Sequence, residues 1–196
     1  MTQIGGILSA LLFYMGVVIV GLFIHMGITY ISILKLFTNV SLKHFFKSIG
    51  PVQLVAFSTS SSGATLPVTM KRCEKDLGVS EEISSFVLPL GATINMDGTA
   101  LYQGVAAVFI AQAVGMDLTL AHQFTIVATA VLASIGTAAV PGAGIIMLVI
   151  ILEAINVPSQ GIALILGVDR ILDMIRTTTN VTGDATIACA MDSLEK

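Results

Sequence analysis

Charged residues are scarce in this 196-residue sequence, and tryptophan is absent. Only 11% of the residues are Asp, Glu, Lys or Arg, whereas soluble domains carry about a quarter. Hydrophobic residues make up 55% of the chain, and the mean hydropathy is +0.95. This composition excludes an ordinary soluble domain and predicts an all-α membrane protein. The net charge of -3 does not indicate a nucleic-acid partner.

The motifs of common enzymes and metal sites are also missing. The two cysteines, Cys73 and Cys189, match neither a metal-binding spacing nor a disulfide framework. The sequence contains no phosphate-binding loop, nucleophile elbow or zinc signature. Its first residues lack the basic region of a secretory signal. We therefore expect a protein that is not an enzyme and that needs no organic cofactor.

The first long apolar run, residues 4–36, can cross a bilayer about 30 Å thick as one helix. His25 interrupts this run, and a single histidine in such a place is more often a packed residue than a ligand. Lys35 ends the run, and Lys43 and Lys47 follow it. Basic residues in these positions mark the cytoplasmic end of a membrane helix.

Two later segments, residues 49–70 and 124–156, are apolar at both ends and polar or glycine-rich in the middle. Neither half of the first segment is long enough to span, and Pro67 lies where a second helix would start. Both segments are predicted to be re-entrant helical hairpins whose tips line a cavity or are buried in protein. The alternatives are a serine-rich surface loop for the first segment and one kinked spanning helix for the second.

Between these hairpins, residues 83–114 form a spanning segment that is broken by residues 91–99. The break contains Asn95, Asp97 and Gly98, which also fit a simple turn between two short helices. In a membrane the same residues would unwind the helix and free carbonyl groups to coordinate a cation, with Asp97 supplying charge. An ionisable residue at mid-membrane is expected to be functional.

The distribution of Lys and Arg predicts which loops face the cytoplasm. Six of the nine basic residues lie between Lys35 and Lys75, on both flanks of the first hairpin. Loops 115–123 and 153–160 contain no Lys or Arg, so both flanks of the second hairpin face outward. A hairpin followed by a polar-interrupted helix thus occurs twice, from opposite sides. This arrangement is typical of an inverted-topology repeat.

The last predicted helix, residues 162–191, is apolar on most faces but carries one stripe of polar groups. The stripe consists of Asp169, Asp173, Arg176, Asn180 and Asp184. At about 100° per residue these five fall within roughly 80° of the helix circumference. A buried Asp or Arg costs roughly 2.5–3.5 kcal/mol in a bilayer, so these groups must pair, bind an ion or line a site. A purely structural ladder of ion pairs is the alternative.

Four stretches together resemble the glutamate/aspartate transporter family of dicarboxylate and amino-acid:cation symporters. They are SSSGATLPVTM, LPLGATINMDGTALYQG, ASIGTAAVPGAG and DRILDMIRTTTNVTGD, in the family's order and spacing. The resemblance implies that residues 1–196 form one portion of a membrane-embedded transport domain. Its first helix is similar to the family's sixth, so the resemblance implies that the N-terminal scaffold helices would be absent from this portion. Members of the family are multi-pass cell-membrane proteins, and a homotrimer is expected of the full-length protein but not of this portion.

The resemblance also implies roles for individual residues. Arg176 would hold the side-chain carboxylate of aspartate or glutamate, and Asp173 its amino group. The full substrate site would comprise Ser61, Ser62, Thr99, Val140, Gly144, Asp173, Arg176, Thr177 and Asn180. Co-transported sodium ions would bind to Gly91, Thr93, Asn95, Met96, Asp97, Ser134, Ile135, Thr137, Asn180 and Asp184. The second hairpin would be the outer gate.

Besides the missing scaffold helices, the sequence departs from the family's pattern at Ser60, and two other functions are alternatives. Some relatives have Arg at the position of Ser60; here Arg170 would either supply that cation or pair with Asp169. A proton-coupled or C4-dicarboxylate carrier of the same family is the nearest alternative, and Asp173 argues against a substrate that has no amino group. An ion-conducting pore is the alternative from another class.

The loop orientation can be tested by labelling single cysteines in a background that lacks Cys73 and Cys189. We expect residues 35–49 and 71–82 to react from the cytoplasmic side, and residues 115–123 and 153–160 from the outside. If the first two loops react from opposite sides, the first segment spans the membrane and is not a hairpin.

Overall fold

A computed structural model describes the backbone of residues 2–196 and the side-chain environments of residues 6–196. Within these residues all regular structure is helical, which confirms the predicted all-α class. The helices are α1 (Thr2–His25), α2 (Ile31–Phe37), α3 (Leu42–Thr59), α4 (Ser62–Leu77), α5 (Glu81–Ile94), α6 (Asp97–Ala113), α7 (Leu120–Ile135), α8 (Ala143–Ala154) and α9 (Leu166–Glu195). A π-helical turn, Met26–Tyr30, joins α1 to α2, and a 3₁₀ helix, Ser159–Leu164, precedes α9.

Side-chain caps fix where several of these helices begin. The hydroxyl groups of Ser41, Ser61, Ser80 and Thr119 accept hydrogen bonds from backbone N–H groups in the first turns of α3, α4, α5 and α7. Such caps satisfy donors that have no partner within the helix. The helix starts therefore depend on local chemistry and not only on where the apolar residues begin.

The first helix pair, α3 and α4, is longer than the sequence predicted. The cap at Ser41 starts α3 at Leu42, inside the basic segment, so this half is 18 residues long and its first turns carry Lys43 and Lys47. The sequence predicted that the second helix starts at Pro67. This is wrong, because the cap at Ser61 starts α4 at Ser62, five residues earlier. The polar tip between the helices is reduced to Ser60 and Ser61.

The breaks in the later segments are close to the predicted positions. The helix over residues 83–114 is interrupted only at Asn95 and Met96, which separate α5 from α6. Helices α7 and α8 pack against each other and are joined by the loop 136–142. Helix α9 is continuous and extends to Glu195.

Helix α9 forms the centre of the molecule, and α1 to α6 all pack against it. One apolar cluster surrounds its N-terminal half and includes Leu172, and a second surrounds its C-terminal half and includes Val181. The outer helices expose many large apolar side chains, among them Phe13, Phe23 and Phe124. By length and composition, the continuous helical stretch Gly6–Phe37 can cross a membrane.

Close packing of α6 on α9 depends on a glycine. A β-carbon at Gly98 would lie 2.8 Å from Oδ1 of Asn180 and 2.9 Å from the carbonyl oxygen of Arg176. Contacts this short force the two helices apart. The distance between α6 and the polar stripe of α9 is therefore set at this position.

Replacing Gly98 by Ala tests this contact. We expect Gly98→Ala to destabilise the fold by about 1–3 kcal/mol, since overpacking at a rigid contact has costs of this size. The matched control is Gly104→Ala in the same helix, where an added β-carbon meets no atom within 4 Å. Thermal unfolding followed by circular dichroism in detergent compares the two variants. Equal melting temperatures for both would contradict the packing explanation.

Candidate functional site

The guanidinium of Arg176 lies at the centre of the buried polar stripe, and the residue is only 1% exposed. Its Nη2 and Nε donate to Oδ1 of Asp173 at 2.9 and 3.1 Å. Its Nη1 donates to Oδ1 of Asp169 at 3.3 Å. The Tyr102 ring covers the guanidinium, 3.9 Å from its carbon, and the Tyr102 hydroxyl donates to Asp169 at 2.6 Å. Because two carboxylates surround one cation, the cluster can accept a further positive group.

Asp173 also connects this cluster to the second helix pair. Its Oδ2 accepts a hydrogen bond of 2.9 Å from the N–H of Gly142, immediately before α8. Gly142 has φ of +76°, a conformation that residues with a β-carbon rarely adopt. The start of α8 is thus held by the N–H of Gly142, in a left-handed turn that favours glycine, and by a carboxylate of α9.

Asn180 links the polar stripe to the start of α6. Its Oδ1 accepts a hydrogen bond from the N–H of Gly98 at 2.9 Å, and its Nδ2 donates to Oγ1 of Thr99 at 3.0 Å. The first of these bonds satisfies one of the free N–H groups at the N-terminus of α6. Asn180 therefore holds both the break in the α5–α6 segment and a residue of the predicted substrate site.

The predicted substrate residues converge on one small cavity of about 20 Å³. Eight of the nine line it, namely Ser62, Thr99, Val140, Gly144, Asp173, Arg176, Thr177 and Asn180. The ninth, Ser61, does not line the cavity; its hydroxyl donates to the carbonyl of Ala139 at 2.6 Å and so joins the two helix-pair tips. This volume is suited to about one water molecule. The cavity therefore has no room for an amino acid in this structure.

Asp184 lies two turns along α9 from Arg176 and is 3% exposed. Nδ2 of Asn95, another predicted sodium ligand, donates to its Oδ1 at 3.0 Å. A β-carbon at Gly91 would lie 2.7 Å from the same oxygen, so the carboxylate lies directly on the backbone of α5. Among the described side chains, none forms a salt bridge with Asp184. A buried carboxylate without a counter-charge is a suitable ligand for a cation.

Asp97, the other acidic residue near the break, has partners that the sequence did not reveal. Nε2 of His25 and the hydroxyl of Tyr30 each lie 2.6 Å from its Oδ2. The tyrosine hydroxyl also donates to the carbonyl of Thr179 on α9 at 3.2 Å. His25 is thus a packed residue, as predicted, but its partner is a predicted sodium ligand. In the sequence, only the polarity of His25 within an apolar run indicated that it has a polar partner.

The remaining predicted sodium ligands do not all lie together: two line the small cavity, one is buried elsewhere and two are exposed. Met96 and Thr137 line the same small cavity, so the structure brings the α5–α6 break next to the tip of the second helix pair. Ser134 is buried and bonds to the carbonyl of Val131 in its own helix. Thr93 and Ile135 are exposed. Their roles were assigned to backbone carbonyls, and these roles stay predictions.

Arg170 does not behave as either sequence-based alternative proposed. It is exposed, does not line the small cavity, and has no ion pair with Asp169. The carboxylate of Asp169 instead accepts hydrogen bonds from Tyr102 and Arg176. Of the residues that the sequence did not single out, Tyr102 contacts the guanidinium and Gln103 donates to the carbonyl of Gly144 at 3.0 Å.

Comparison with known proteins places this site within a family of transporters. Residues 1–194 match the model of the sodium:dicarboxylate symporter family. Excitatory amino acid transporter 2 of Homo sapiens is 46% identical over 172 residues, which are 88% of this chain and 30% of that protein. Excitatory amino acid transporters 1 and 4 of Rattus norvegicus are 45% and 44% identical over the whole chain, which covers 36% and 34% of them.

The chain thus spans about a third of the length of these curated relatives. The family description and the relatives' names denote transport proteins and not enzymes, in agreement with the sequence-based prediction. Because the family model matches nearly the entire chain, this chain belongs to the sodium:dicarboxylate symporter family.

Proposed function

We propose that this chain is the binding core of a secondary active transporter that carries an acidic amino acid together with sodium ions. The single observation that supports it most is the buried guanidinium of Arg176 between Asp173 and Asp169. The family description supports sodium coupling, and the relatives' names support an amino-acid substrate. In the complete protein, elevator-type alternating access would move this core across the membrane.

The geometry of the cluster explains how an acidic amino acid would be recognised. Arg presents a planar fork that matches a carboxylate with two hydrogen bonds. If the substrate's side-chain carboxylate takes this fork, Asp173 is released to bind the substrate ammonium. The bound state then contains matched ion pairs in place of the internal Arg176–Asp173 pair. Thr99, Thr177 and Asn180 lie close enough to contact the remaining carboxylate and backbone.

Sodium would be bound beside this pocket, at Asp184 and at the break between α5 and α6. Asp184 supplies a buried negative charge, and the interrupted helix supplies oxygen ligands that a hard cation prefers. The hydrogen bonds of Asn180 to Gly98 and Thr99 connect the proposed ion region to the substrate region. Binding of the cation and of the amino acid would therefore favour the same arrangement of α6 and α9.

The two other functions are less well supported. A C4-dicarboxylate substrate has no ammonium group, so it would leave Asp173 buried beside Arg176 without a new partner. A continuous pore does not agree with a cavity of only about 20 Å³ or with the contact between the two tips at Ser61 and Ala139. Coupling to protons in place of sodium would be recognised by a transport rate that does not depend on sodium.

The membrane arrangement is part of the same proposal. The pairs α3–α4 and α7–α8 would be re-entrant hairpins that enter from opposite sides, each with the helix that follows it forming one half of an inverted repeat. The second hairpin would be the outer gate, since its tip is bound by Asp173. The full-length protein would lie in the cell membrane as a homotrimer, surrounded by the lipid bilayer.

The main proposal predicts that aspartate stabilises the purified protein only when sodium is present. A ligand at a hundred times its dissociation constant stabilises the folded state by about 2.7 kcal/mol. The melting temperature should therefore rise with aspartate in sodium chloride but not in choline chloride. In Asp184→Asn the melting temperature with aspartate should be the same in both salts. Glu153→Gln, which changes an exposed carboxylate, should keep the difference between the salts. An equal rise in both salts would contradict sodium coupling.

A second prediction concerns the role of Arg176 in specificity. In Arg176→Ala the substrate's side-chain carboxylate is buried without a partner, and breaking such a pair costs about 3–5 kcal/mol. We expect aspartate to bind at least about a hundredfold more weakly, while serine, which needs only Asp173, becomes the better ligand. The control is Arg170→Ala, an exposed arginine on the same helix. Competition binding with both amino acids measures the effect, and unchanged aspartate affinity in Arg176→Ala would refute the assignment.

A further inference from the structure

The turn that joins α1 to α2 holds the carboxylate of Asp97 in one orientation. Nε2 of His25 and the hydroxyl of Tyr30 both bond to its Oδ2 at 2.6 Å, and the N–H of Gly98 donates to its Oδ1 at 3.0 Å. A carboxylate can accept about four hydrogen bonds. The described residues fill both positions on Oδ2 and one on Oδ1, so the open position of this carboxylate is on Oδ1.

The π-helical form of this turn explains why His25 and Tyr30 reach the same oxygen atom. In an α-helix, residues five positions apart point about 140° away from each other, at about 100° per residue. A π-helix bonds each N–H to the carbonyl five residues earlier, and here the N–H of Ile31 donates to the carbonyl of Met26. Residues five positions apart therefore lie on one face. With a regular α-helical turn, only one of the two side chains would face Asp97.

Tyr30 also joins this carboxylate to the central helix, α9. The residue is only 2% exposed, and its hydroxyl contacts the carbonyl of Thr179 at 3.2 Å. A β-carbon at Gly183, one turn further along α9, would lie 2.7 Å from the same hydroxyl and 3.0 Å from Nδ2 of Asn95. The hydroxyl therefore lies against the backbone of α9, near the amide that bonds to Asp184.

We propose that Tyr30 is a positioning residue for the binding of a cation at Asp97. By holding Oδ2, the hydroxyl keeps Oδ1 at the start of α6, where Gly98 and Asn180 also meet. The carboxylate then does not have to turn when sodium binds. Loss of a hydrogen-bond partner that orients a metal ligand typically weakens metal binding by about 10–100-fold. This inference rests on the proposed sodium coupling, in which Asp97 is a ligand.

A sodium titration of the purified protein without substrate tests this role. The measured quantity is the sodium concentration that gives half of the maximal rise in melting temperature, with choline chloride keeping the ionic strength constant. We expect Tyr30→Phe, which removes only the hydroxyl, to raise this concentration about tenfold. A merely structural role would lower the melting temperature at every sodium concentration without shifting the half-maximal concentration.

The matched control is Tyr14→Phe in α1. Tyr14 is also buried, but its hydroxyl has no hydrogen-bond partner within the described residues. Removal of this hydroxyl should leave the half-maximal sodium concentration unchanged. A tenfold increase in both variants would show that any buried tyrosine hydroxyl has this effect, and it would overturn the proposal.

A double variant shows whether the effect of Tyr30 passes through Asp97. In Asp97→Asn the half-maximal sodium concentration should already be raised, and adding Tyr30→Phe should change it by less than about twofold, because the carboxylate that the hydroxyl orients is gone. A further tenfold increase would overturn the proposal, as would an unchanged value in Tyr30→Phe alone. If sodium does not raise the melting temperature of the parent, sodium coupling is refuted and this inference with it. The result for the parent thus distinguishes the two failures.

Discussion

The burial of one permanently charged guanidinium is the constraint on which the rest of this structure depends. Arg176 lies at the middle of the central helix, and apolar clusters surround both halves of that helix. A buried charge without partners would destabilise the fold severely. Asp169, Asp173 and the ring of Tyr102 must therefore stay in position, and with them the packing of α6 against α9. Gly98 lies at the close contact between α6 and α9, where a β-carbon would not fit.

A second consequence is that the charged groups of the polar stripe lie at two separate levels of α9. Arg176 and its two aspartates occupy one level, and Asp184 lies about two helical turns away, 12 Å at 1.5 Å per residue on a rough count. Asn180 lies between them and bonds to the backbone at the broken end of α6. Asn180 therefore joins α9, between the two levels, to the start of α6. Both levels contact the two-residue break between α5 and α6: Asn95 bonds to Asp184, and Met96 lines the cavity beside Arg176.

The site residues of α9 could be predicted from the sequence pattern alone, whereas those on other helices were predicted only through the resemblance to the transporter family. Asp173, Arg176, Asn180 and Asp184 share a face because of helical periodicity alone, which is a local property. The contacts of Tyr102 and His25 join residues that are 67 and 72 positions apart, so they arise from the packing of α6 and α1 and have no local pattern. The start of α3 was placed too late because the apolar pattern ends at the membrane boundary, whereas a capped helix continues into water.

The two helix-pair tips differ in how firmly the local sequence holds them. The first tip has an N-cap from Ser61 and further side-chain bonds from Thr59 and Thr65. At the second tip, α8 begins without a side-chain cap, and its nearest anchors are the carbonyl of Ala139 and the N–H of Gly142. Both anchors bond to residues of the predicted substrate site. The second tip is therefore tied through Gly142 to Asp173 of α9, and through Ala139 to the first tip.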